Sequence, residues 1–298
     1  MKSRMVLFCA LGLLVSSPLF GAETDQYTGR KVRLEDARET INRRVNALIR
    51  RTAQGWRGPR DDYRFAKEVR KAVDGFVVFN KFNKWIGNNP EIDHLNTRPT
   101  SIYRNIPFYK TIVPVSLIVA ETVFVNGNRV GLDKFSHMFT VGWNSYKKYR
   151  IAGESAANEY DAGTERGLLG LRVSGVYSNA DLVADFEGRH FYQSLSEDEV
   201  IPGKDAIIAW EGDYPHMQRA FDIADHVNAF WDESINTNQY RKGLAQRVLR
   251  NLRALCTAYV QSPEYWDITP DLDSHLLARY SSIGLWKNSE YRLAAICR

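Results

Sequence analysis

Apolar residues recur every three or four positions through most of this chain. That period is the strongest constraint on what it can fold into, because it lines one face of an α-helix. Leu244, Val248, Leu252, Leu255 and Tyr259 form a full stripe that predicts a helix over 238–261. Ala37, Ile41, Val45, Leu48 and Thr52 form another within Glu35–Gln54, closed by Gly55. Phe65, Val69, Val73, Phe76 and Phe79 follow a cap at Asp61 or Asp62. Leu132, Phe135, Phe139, Trp143 and Tyr146 predict a helix over 132–151. Ser178, with Asp181 three residues on, opens another over 178–195. Further helices are expected over 216–232 and 271–280.

Strand signal is confined to one place, where a helix followed by a loop is the competing reading. The apolar stretch Thr111–Val125 runs straight into Asn126-Gly127, a tight-turn pair, and then Arg129-Val130. Residues 23–34 read as an irregular leader, 88–109 as turns, and 153–176 as a loop with several glycines. The expected fold is mainly α: a compact multi-helix domain with a minor strand or hairpin element near 122–130. Its centre is the helix pair 132–151 and 178–195, packed under helix 238–261.

Residues 1–22 read differently from the rest. Lys2 and Arg4 precede an apolar run from Val6 to Val15; Ser16, Ser17 and Pro18 break it, and Gly21-Ala22 supply small residues. This is the pattern of an export signal, and the run is shorter than the roughly 20 residues that span a bilayer. Phe20 is large for its place three residues before a cut after Ala22. Residues 1–22 are therefore expected to be a signal peptide and 23–298 a single, mostly helical exported domain, periplasmic or secreted, with no membrane span. Loss of Cys9 with the signal leaves Cys256 and Cys297, an even pair expected to form a disulfide in an oxidising compartment. Loss of Lys2 and Arg4 lowers the net charge from +5 by two. The basic residues are scattered or paired among acids, so nucleic acid is not an expected partner.

Three of the six histidines follow an aspartate by four residues: Asp133/His137, Asp222/His226 and Asp271/His275. On a helix that spacing places both side chains on one face. The plain reading is an Asp that steadies a His; the chemical reading is a metal ligand set or an acid–base pair. The first pair continues as a polar line through Thr140 and Asn144. Asp181 and Asp185 sit one turn apart on the helix after it, and Ala184 and Gly188 are small enough for close approach. If the two helices face each other, Asp133, His137, Asp181 and Asp185 meet as a polar network or as a site for a divalent metal. HExxH, a Gly-x-Ser-x-Gly elbow, phosphate-binding glycine loops and zinc cysteine clusters are absent.

At these residues a resemblance appears. Asp133-Lys134-Phe-Ser-His137 resembles the Asp-Lys-x-x-His helix start of VanZ-like and related uncharacterised envelope proteins. Asp181-Leu-Val-Ala184-Asp185-Phe-Glu-Gly188 resembles their later Asp-aliphatic-x-Ala-Asn/Asp-x-x-Gly segment, in the same order. The resemblance covers about residues 131–190 and implies a cell-envelope context, with no chemistry to carry over. It departs from that family's membrane-embedded helices, since Asn144, Lys147, Lys148 and Arg150 make the first helix polar.

Two further constellations stand apart. Ile151-Ala-Gly-Glu154-Ser155 with Gly167-Leu-Leu-Gly170 resembles the Glu-Ser and Gly-Leu-Met segments of lytic transglycosylases, with Leu in place of Met. That likeness would make Glu154 a glycan-cleaving acid; the plain reading is a surface loop. Trp231-Asp232-Glu233-Ser234 with Asn236 and Asn238 would cap helices or bind Ca²⁺. The expected function is a non-catalytic binding or scaffold role with an envelope partner, whether glycan, lipid or protein. The alternatives are a metal-assisted hydrolase on Asp133, His137, Asp181 and Asp185, or a glycan-cleaving enzyme on Glu154.

Overall fold

In the computed structural model, residues 23–74, 81–112, 114–117, 119–167, 170–287 and 289–298 are described. The expected signal segment, and Phe76 and Phe79 of the second stripe, lie outside them. The chain opens with β1 (Glu23–Thr24), and α1 (Arg38–Gln54) follows with Ile41, Val45, Leu48 and Ile49 buried on one face. Each such side chain contributes roughly 1.5–3 kcal/mol on leaving water. Helix α2 (Asp62–Val73) is capped by Asp61, whose side chain accepts from the Arg64 N–H. Helix α3 (Lys81–Gly87) precedes the turn-rich stretch.

Strand β2 (Val119–Ala120) pairs in parallel with β1. Strands β3 (Thr122–Val125) and β4 (Asn128–Gly131) form the expected hairpin. Asn126 and Gly127 take φ of 51° and 76°, the left-handed pair that a two-residue hairpin requires. Helix α4 (Leu132–Ser136) starts directly from β4, passes through a π-helical turn (His137–Val141), and continues as α5 (Gly142–Arg166). After β5 (Val176–Tyr177) comes α6 (Asn179–Gln193), capped by Ser178 as expected. Helices α5 and α6 pack against each other along their length. A Cβ on Gly188 would lie 2.0 Å from the Met138 carbonyl oxygen, so the small residue is what lets the two backbones touch.

Four expectations are corrected. Residues 23–34 are irregular only after β1, and the segment is not peripheral at its start: Glu23, Thr24, Asp25, Gln26, Tyr27 and Thr28 are all buried. Asp25 holds this turn by accepting from the Tyr27 and Ile102 N–H groups. The loop expected from 153 is a one-residue break at Gly153 (φ 81°, ψ −176°), after which helix resumes to Arg166. It was hidden because its inward positions, Asn158, Asp161 and Glu165 beside Ala157 and Ala162, are mostly polar.

In place of a helix over 216–232, a hairpin of β6 (Ile208–Glu211) and β7 (Tyr214–Met217) is followed by two short 3-10 turns. The Asp222 and Asn228 side chains bind backbone N–H groups two residues on and interrupt the helix. Finally, after β8 (Gln239–Tyr240), the 238–261 stripe divides into α7 (Lys242–Arg253) and α8 (Cys256–Gln261). Leu244, Val248 and Leu252 do not cover the helix pair. They join a second apolar cluster with Tyr27, Ile102, Tyr103 and Val119.

The remaining helices are α9 (Pro270–Arg279) and α10 (Leu293–Ile296). Cys256 and Cys297 stand at disulfide distance, with an S–S separation of 2.08 Å. The fold is mainly α; strands occur among the described residues only as two-stranded pairs. No described helix is long and apolar enough to cross a membrane.

Candidate functional site

Where α4 and its π turn meet the start of α6, buried charge accumulates. Lys134 lies at the centre and is fully buried. Its Nζ stands 2.9 Å from Asp133, 2.6 Å from Asp181 and 2.6 Å from Glu233. The Asp181 contact is close in distance but off the hydrogen-bond axis. Burial works against the ammonium charge; the three carboxylates outweigh it and hold the Lys134 pKa well above its usual range. Burial pushes Glu233 up to about 7, with Lys134 pulling the other way. Thr24 donates to Asp133, and the Glu233 N–H donates to Gln26 Oε1. The N-terminal segment thus closes this centre from one side.

One turn along, His137 is held between two carboxylates. Its Nδ1 is 2.9 Å from Asp185 Oδ1, and its Nε2 is 3.3 Å from Asp181 Oδ2. Burial disfavours the imidazolium, but Asp181 and Asp185 outweigh it and raise the His137 pKa well above its usual value. Burial raises Asp185 to about 6 against the pull of His137. Glu165, from the last turn of α5, reaches the same place; burial, then the charge of Asp181, raises its pKa well above the carboxylate range. Asp161, one turn earlier, accepts from Ser145 at 2.6 Å and is pushed by burial to about 8.

The structure therefore brings Asp133, His137, Asp181 and Asp185 together. It does not pair the other two Asp–His motifs. Asp222 accepts from Arg38 and Asn42, while His226 turns to Glu187 at 3.2 Å. Asp271 and His275 are exposed on α9. Glu154 lies on α5 with its side chain 60% exposed, 3.9 Å from Arg189. Asp232 pairs with Arg30, and Asn238 donates to Glu233 at 2.8 Å while its Oδ1 accepts from the Asn179 N–H that opens α6, so the 231–238 segment both braces the centre and caps a helix. Cys256 and Cys297 lie in another part of the fold, with the second apolar cluster.

Sequence reasoning missed Glu23, Asp161 and Glu165, and the central roles of Lys134 and Glu233. Asp161 and Glu165 carried a signal, since they repeat at one-turn spacing. Glu23 carried none: it is placed by the parallel pairing of β1 with β2.

Two carboxylate-rich triads have metal-like compactness. Asp133, Asp181 and Glu233 bring ligand atoms within 4.8 Å of one another, and so do His137, Glu165 and Asp181. In the first, the Lys134 ammonium already takes the cation's place. The second shares Asp181 with the first, and with it the contact to Lys134; among the described residues no lysine or arginine reaches its Glu165, and its own positive group is His137. Neither triad lines the surface grooves described; one of about 680 Å³ lies between Arg30–Asp36, Arg129 and Tyr265, and another of about 550 Å³ is lined by Glu154, Ser155 and Ser282.

No protein-family model, no curated protein and no solved structure matches the chain.

Proposed function

We propose that this chain is an exported cell-envelope protein with a non-catalytic binding or scaffold role, whose buried charge centre locks its helices in register. The observation that carries the reading is the enclosure of Lys134 by three carboxylates at zero exposure. A hydrolytic site must admit substrate and water to its reacting groups. Here Asp133, Asp181 and Asp185 have side chains at most 4% exposed, and His137 only 10%. Each is engaged by another side chain of the protein. The metal-assisted hydrolase reading lacks that access. The glycan-cleaving reading asks for a buried acid, and Glu154 is largely exposed.

The export half of the proposal rests on the pattern of residues 1–22 and on a cysteine pair at disulfide distance. Fractionation of cells that express the full chain tests it: the protein is expected outside the cytoplasm, shortened by the signal, and an unprocessed cytoplasmic protein would refute it. The lock is tested by Asp133→Ala and His137→Ala. Both are expected to lower the melting temperature, and an unchanged value for both would remove the lock.

A further inference from the structure

We propose that His137, Glu165 and Asp181 supply three donors of a buried structural site for a divalent cation of the zinc class. The inference deepens the non-catalytic reading, on which it rests for the structural role of the site. It starts from the orientation of one imidazole ring. Asp185 Oδ1 is an acceptor 2.9 Å from His137 Nδ1, so Nδ1 carries the hydrogen. Nε2 is then directed at Asp181 Oδ2, 3.3 Å away. Two ligands bonded to a tetrahedral zinc ion at about 2.0 Å stand about 3.3 Å apart. A carboxylate that fixes one ring nitrogen so that the other meets a metal is the common outer-shell arrangement of histidine ligands.

Glu165 supplies the independent observation. It is fully buried, and its Oε1 has no hydrogen-bond partner among the described residues. Its other oxygen accepts only a long contact, 3.4 Å, from the Ser178 N–H. Its carboxylate belongs to the same 4.8 Å cluster as His137 and Asp181. A proton on Nε2 would satisfy Asp181 and still leave Glu165 Oε1 orphaned. A divalent cation that displaces the Nε2 proton of His137 engages all three at once.

The neighbouring triad shows the contrast. Asp133, Asp181 and Glu233 are equally compact, and there the chain supplies its own cation in Lys134. Asp181 joins the two, with Oδ1 toward Lys134 and Oδ2 toward His137. A donor set of one imidazole nitrogen and two carboxylates suits zinc better than calcium, which takes about six to eight oxygens.

The test uses the exported, untagged protein, purified without chelator and dialysed against Zn²⁺. One zinc per chain by elemental analysis is expected, with a melting temperature that EDTA lowers and Zn²⁺ restores. Glu165→Gln, which keeps shape and removes charge, is expected to lose the stoichiometric metal. Wild-type protein that takes up no Zn²⁺, Co²⁺ or Mn²⁺ overturns the site, and so does full zinc retention by Glu165→Gln. Should that variant not fold, zinc-edge X-ray absorption of the wild-type protein decides: an imidazole ligand is expected, and a shell without one overturns the site. The two readings fail separately. No metal with Asp133→Ala still destabilised removes only this site; zinc-loaded protein that hydrolyses ester or phosphoester substrates removes only the non-catalytic reading.

Discussion

Gly142 and Gly188 meet where α5 and α6 come together, so closely that a Cβ on Gly142 would lie 2.6 Å from the Gly188 Cα. That contact is what brings Asp181 and Asp185 of α6 within reach of His137 one turn before Gly142. Gly188→Ala is therefore expected to force the helices apart. Overpacking of this kind costs roughly 1–3 kcal/mol, and a Cβ aimed at a backbone oxygen belongs at the upper end. Urea denaturation of the variant measures it; a loss below about 0.5 kcal/mol would mean the backbones give way easily.

Lys134→Met is expected to be far more damaging than its similar shape implies. It leaves Asp133, Asp181 and Glu233 buried without their ammonium. Breaking a buried charge pair from one side costs roughly 3–5 kcal/mol. The loss should be greatest at neutral pH and shrink on acidification, as the abandoned carboxyls take up protons. Melting curves at pH 7 and pH 5 check both the size and the trend.

Glu187 gives a pH dependence of its own. Burial alone would raise its carboxyl, but the His226 hydrogen bond and the Arg279 charge prevail and hold it at about 2. Arg279 Nη2 donates to it at 2.7 Å and the Tyr280 hydroxyl at 2.6 Å. A depressed carboxylate pKa stabilises the fold above the unfolded value, and the stabilisation fades as pH falls through the folded one. The advantage of wild type over Glu187→Gln, about 3 kcal/mol from this group at neutral pH, should decline from about pH 4.5 toward pH 2. A stability difference that stays flat across that range would contradict it.

Cys256→Ser with Cys297→Ser opens a loop whose ends are 41 residues apart in sequence. Chain-entropy closure of that length contributes about 4 kcal/mol. The double variant is expected to melt earlier, and reductant is expected to shift the wild-type protein but not the variant. Equal melting of the two oxidised proteins would argue against a stabilising bridge.

Much of the helical framework was readable before the tertiary structure. Helices α1, α2 and α6 follow visible stripes or caps, since Ile41, Val45, Phe65, Val69 and the Ser178 cap act over one or two turns. The Asn126-Gly127 hairpin was readable for the same reason: the turn imposes its φ values locally. The second half of α5 was not, because the residues it buries are polar and hydropathy periodicity does not register them. The buried start of the chain was not readable either. Nothing within Glu23–Thr28 shows that Val119–Ala120 will pair with it, or that Trp266 Nε1 will donate to the Tyr27 carbonyl from far along the sequence.

The candidate site divides along the same line. Asp133 and His137 on one helix, and Asp181 and Asp185 on another, were legible from local spacing, because a helix repeats on a short period. Their convergence with Glu233 and Glu23 around Lys134, and with Glu165 beside His137, was decided by tertiary packing, in which two glycines let helices touch and an extended N-terminal strand seals the centre. Local periodicity determines which face a residue occupies; only the packing of distant segments determines which charges must share a buried space.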